Sequence, residues 1–106
     1  MSGRPAPLHT VNKSPLAGPA LQSCLAHLTD GAAVLLMEDG VYAALAGALS
    51  AGPLTDALRD HPVYVLGPDL ALRGLAGRAL VPGVTVVDYE GFVTLATRHS
   101  LVQAWV

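Results

Sequence analysis

Cysteine occurs once in this chain of 106 residues, at Cys24. One thiol excludes an intrachain disulfide and cannot close a zinc site by itself, so Cys24 is either inert packing or a reactive group. Charge is scarce as well. Charged residues make up 13% of the sequence, against about 25% in ordinary soluble domains, and the six Lys and Arg stand singly. Such a chain has no basic stripe to neutralise several phosphates, which argues against direct nucleic-acid binding. Long hydrophobic runs are missing too. The longest, AAVLLM and VYAALA, fall far short of the ~18 residues that a membrane span requires. The first ten residues lack the apolar core and small-residue cleavage site of a secretory signal, and a cytoplasmic location is expected.

Phosphate-binding and metal-binding motifs are absent in the same way. There is no GxGxxG and no GxxxxGK[ST], and the histidines at 9, 27, 61 and 99 show no HxxxH or HExxH spacing. What is abundant is apolar side chain, at 52%. A folded protein of this mass exposes roughly 5,600 Å², little area on which to spread that surplus without forming patches. Stable association with other subunits would cover them.

The length fits one domain. Gly3, Pro5 and Pro7 make residues 1–7 a flexible lead-in, and the domain is placed at 8–106. Four stretches read as strands: LHTVN (8–12), AAVLLME (32–38), VYVLG (63–67) and VTVVD (84–88). Their nearly continuous apolar character suggests a sheet covered on both faces. Helical spacing lies between and after them, at Leu21, Leu25 and Leu28; Val41, Ala44, Leu45 and Ala48; Leu70, Gly74 and Leu75; and Phe92, Leu95, Ala96 and His99. Gly52 and Pro53 should break a helix that restarts over Thr55–Asp60. The alternation predicts right-handed crossovers and an α/β fold, a three-layer α/β/α sandwich with a mostly parallel sheet of four to five strands. The tail LVQAWV (101–106) would be the fifth, at an edge.

In such sheets chemistry gathers beyond the carboxyl ends of the strands, here NKSP, EDG, GPD and DYEG. Three of these carry carboxylates and would repel a phosphate. Asp69 and Asp88 stand at helix starts, where a capping role explains them. Lys13 follows the first strand. It is either a solvated loop charge or a cation that stabilises a thiolate on the next helix. Cys24 lies three residues after Leu21 and directly before Leu25, on or beside the apolar stripe, so burial and reactivity both stay open. His9 could modulate that thiol or simply pack.

LHTVNKSP (8–15), LQSCL (21–25), EDGVYAAL (38–45), YVLGPDLALRGL (64–75), GVTVVDYEGFVTL (83–95) and VQAWV (102–106) together resemble the DsrH/TusB family over nearly the whole chain. The extension at 1–7 is the main departure. The resemblance implies a DsrE-like subunit of a heterohexamer, partnered by DsrE/TusD-like and DsrF/TusC-like chains. It also implies sulfur relayed as cysteine persulfide from a TusA-like donor to a DsrC/TusE-like acceptor, without metal or organic cofactor. The relay serves either sulfur oxidation or 2-thiolation of the tRNA wobble uridine. Cys24 aligns with a cysteine of the sulfur-oxidising branch, which tRNA-thiolating chains can lack, and this favours oxidation. Two roles follow: Cys24 as a persulfide carrier helped by Lys13, or the chain as a non-catalytic scaffold whose partner carries the persulfide. A free-standing flavodoxin-like binder is the third reading, disfavoured by the acidic loops.

Overall fold

Each of the four stretches expected to be strands becomes one in the structure, a computed structural model that describes residues 6–106. The strands are β1 (Leu8–Val11), β2 (Ala33–Leu36), β3 (Val63–Leu66), β4 (Thr85–Val87) and β5 (Val102–Trp105). The helices are α1 (Ala20–Ala26), α2 (Ala51–Ala57), α3 (Gly67–Leu72) and α4 (Tyr89–Arg98), and a 3-10 helix covers Glu38–Ala44. Residues 1–5 of the expected extension lie outside the described residues. Ala6 and Pro7 are tied to the fold, since the Ala6 carbonyl bonds His99 Nδ1 at 2.8 Å and the Pro7 carbonyl accepts from the Ala33 N–H at 3.1 Å.

All five strands are parallel, in the order β4-β3-β2-β1-β5. The chain steps three times in one direction and then crosses back to the far side of β1. Right-handed crossovers therefore put α1, the 3-10 helix, α2 and α3 on one face and α4 alone on the other. The packing follows this division. Val11, Val34, Leu36, Val63 and Val65 meet Leu21, Cys24, Leu54 and Leu70 on the first face. Leu8, Ala33 and Leu35 meet Leu95 and Phe92 on the second. β1 and β2 are buried throughout, which is why their sequences do not alternate with polar residues. α1 and α2 have seven residues each, too few to persist alone, so burial against the sheet holds them in place.

Two local expectations change. α2 begins at Ala51, with Gly52 and Pro53 inside its first turn, because a proline there loses no intrahelical bond. The spacing from Val41 to Ala48 yields a 3-10 helix that ends at Ala44, since Leu45 turns extended and bridges Leu80. The tail forms the expected edge strand, and its neighbour is β1, with Leu8 opposite Val102 and Val11 opposite Trp105.

Candidate functional site

Cys24 is the fifth residue of α1 and has no solvent exposure. Its side chain faces the sheet within the larger core cluster. Burial pushes the thiol up to about 12, and no charged group offsets that effect. The helix adds nothing in favour of a thiolate, because a thiol is activated at a helix N-terminus, whereas Cys24 lies toward the C-terminal end of α1. In the chain alone the group is a protonated, apolar-packed thiol. Lys13 is exposed on the loop after β1, and it takes part in none of the ion pairs among the described residues. The structure thus places the two candidate residues on consecutive elements without joining them.

The carboxyl ends of β2 and β3 form a connected polar cluster. Asp69, 7% exposed in the first turn of α3, accepts the Glu38 backbone N–H at 2.6 Å. Glu38 has φ of 49°, and it is the one non-glycine residue with positive φ among the described residues. Arg73 donates from Nε to Asp39 Oδ1 at 2.9 Å and from its guanidinium to the Asp69 carbonyl at 3.3 Å. The hydrogen bond with Asp39 holds Arg73 above its ordinary value. The carboxylates expected at strand ends therefore serve the loop itself. Asp88 caps α4 as expected, accepting the Gly91 N–H at 2.7 Å. Sequence reading missed Arg73, whose pairing with Asp39 joins residues far apart in the chain.

Beside that cluster runs an apolar groove of about 620 Å³, walled by Pro15, Leu16, Tyr42, Leu45 and Leu49, with Ser14 and Asp39 at its rim. A second, of about 280 Å³, follows the flank of α1 at Leu21, Gln22 and Leu25, and the two share Pro15, Leu49 and Ser50. Leu16 and Leu49 are 91% and 94% exposed. Side chains this apolar and this open would gain free energy if covered. A groove of this kind accommodates apolar groups, with the hydroxyls of Ser14, Tyr42 and Ser50 among its few polar atoms.

On the same face of β1, His9 is buried and accepts the Trp105 indole N–H at 2.9 Å through Nδ1. His27, at the end of α1, also lies beside Trp105, with ring centres 5.6 Å apart. Among the described residues, no group of three or more His, Cys, Asp or Glu could hold a metal ion, and no helix is long and apolar enough to cross a membrane.

The family described as DsrH like protein matches residues 13–102. Protein TusB of Escherichia coli O1:K1 / APEC is 38% identical over 100 residues, covering 92% of this chain and 99% of that protein. Protein TusB of Shigella flexneri matches at the same identity and coverage, and that of Shigella sonnei (strain Ss046) at 37%. The crystal structure of the ychN protein from E. coli superposes with a TM-score of 0.81 over 95% of this chain and 99% of that one, at 19% identity. At that identity the likeness concerns the fold, which is the α/β architecture described above.

Proposed function

Because the chain belongs to the DsrH/TusB family, and so is a subunit of a sulfur-relay complex with TusC-like and TusD-like partners, we propose that it is the structural subunit of that relay. In this reading it completes a cytoplasmic heterohexamer and shapes the docking surface, while a partner subunit carries the persulfide. One observation supports this above all others: Cys24 is wholly buried and its thiol stays protonated, at about 12. Persulfide exchange requires a thiolate that can reach the outer sulfur of an incoming R–S–SH. The open apolar residues Leu16 and Leu49 fit a chain whose grooves are meant to be covered. The matched relatives bear the TusB name, which supports 2-thiolation of the tRNA wobble uridine over sulfur oxidation, with a TusA-like donor and a TusE-like acceptor.

A second reading keeps Cys24 as an additional carrier. Its support is that the smaller groove touches α1 at Leu21, Gln22 and Leu25, on both sides of Cys24. A partner that shifts this helix would open the thiol to the groove and bring a cation, Lys13 or one of its own, within reach.

The complex reconstituted with its two partner subunits and charged by a TusA-like donor separates the readings by intact mass. The structural reading expects persulfide on a partner only, unchanged transfer by the Cys24→Ala complex, and no hexamer without this chain. An added sulfur atom on this chain that disappears in Cys24→Ala would establish the carrier instead.

A further inference from the structure

β5 is held by few side chains. Val102, Gln103 and Ala104 are exposed, and Trp105 is the only residue of the strand that reaches the core. Beyond its ladder with β1, the strand thus depends on one indole, and that indole is bonded to a titratable ring. The indole N–H can only donate, so His9 Nδ1, its acceptor at 2.9 Å, carries no proton. His9 is then the neutral tautomer with its proton on Nε2, an atom that is buried and has no hydrogen-bond partner. A second proton would have to go onto Nδ1, where it would face the indole N–H, donor against donor.

We propose that the His9–Trp105 pair is an acid-sensitive latch: protonation of His9 breaks its bond to Trp105 and releases β5 from the outer edge of β1. The surroundings favour the neutral ring. Burial is the largest influence, followed by His61, just before β3, and His27, at the end of α1, all of which lower the His9 pKa. α1 also carries Cys24, which is uncharged, and the strands beside His9 contribute Val34 and Gln103, which do not titrate. The sign is fixed by these influences. The released state takes up the proton more readily than the latched one, so the latch holds fully above the ordinary histidine value of about 6.5 and weakens as pH falls below it. The inference does not depend on which subunit carries sulfur.

Trp105 is the sole tryptophan, so the full-length chain reports on itself. Hydrogen exchange of the indole N–H and tryptophan emission, followed from about pH 8 to pH 5, should show loss of indole protection and a red shift. Both changes should coincide with titration of the His9 ring resonances while the amides of β2 and β3 stay protected. His9→Gln keeps an acceptor but cannot titrate and should abolish both changes. His27→Gln removes the other ring beside Trp105 and should leave both changes in place, with their midpoint moved upward because His27 no longer lowers the His9 pKa. Protection retained down to pH 5, a transition that survives in His9→Gln, or simultaneous opening of every strand would each overturn the proposal. If His9→Gln does not fold, the coincidence of His9 titration and indole exchange in the unaltered chain decides.

Discussion

The Asp69 carboxylate accepts the backbone N–H of Glu38 at 2.6 Å, tying the first turn of α3 to a residue in the left-handed conformation. One buried acid thus holds the turn that leads from β2 into the 3-10 helix, and with it the position of Asp39 and Tyr42 on the wall of the larger groove.

Asp69→Ala leaves that N–H without its partner and should cost about 2 kcal/mol. Asp69→Asn, which retains an acceptor oxygen, should cost less. Urea denaturation of the two variants measures the difference, and equal midpoints for Asp69→Ala and the parent would remove the clamp from this account.

Gly40 is pressed against the end of β1, where an added Cβ would run into the carbonyl oxygen of Val11. Since backbone cannot rotate away as a side chain can, Gly40→Ala should destabilise the chain by ~3 kcal/mol. Gly47→Ala, with open space around the position, is the matched control and should change the melting temperature little.

For Cys24, the folded thiol at about 12 stands above its ordinary value of 9.0. A raised thiol contributes stability that is complete below pH 9.0 and is lost as pH rises toward about 12. The stability difference between the parent and Cys24→Ala should therefore be constant through neutrality and shrink in that alkaline window. A difference that does not change with pH would mean that the thiol is already solvated in the native state.

Asp88 caps the helix that alone covers the second face of the sheet, so its loss should register in global stability. Asp88→Ala should cost about 1 kcal/mol, read from the thermal midpoint, and Asp88→Ser should recover most of it.

The sequence was legible where a short run has only one way to be buried. AAVLLME, but for its last residue, and VYVLG are apolar because helices cover both sides, and they lie within two residues of the observed strands. Asp88 was legible as a cap because capping is local. The 3-10 helix was not: its end is set by Gly40 against Val11 and by the bridge from Leu45 to Leu80, contacts that helical spacing cannot register. Cys24 showed its place on the apolar stripe, yet spacing alone could not tell full burial from a cleft margin a fraction of a turn away. Arg73 beside Asp39 and Trp105 beside His9 were hidden by separation, 34 and 96 residues respectively.

The strand order has a consequence for how the protein is made. β1 leaves the ribosome before β5, with β2, β3 and β4 made between them, yet β1 and β5 are neighbours. Strands β1 to β4 pair in the order of synthesis, whereas the outer edge of β1 stays open until β5 emerges. That edge is an unpaired template on a nascent chain rich in apolar side chains, and long-range closure of this kind is slow. Until the tail arrives, another chain can occupy its place.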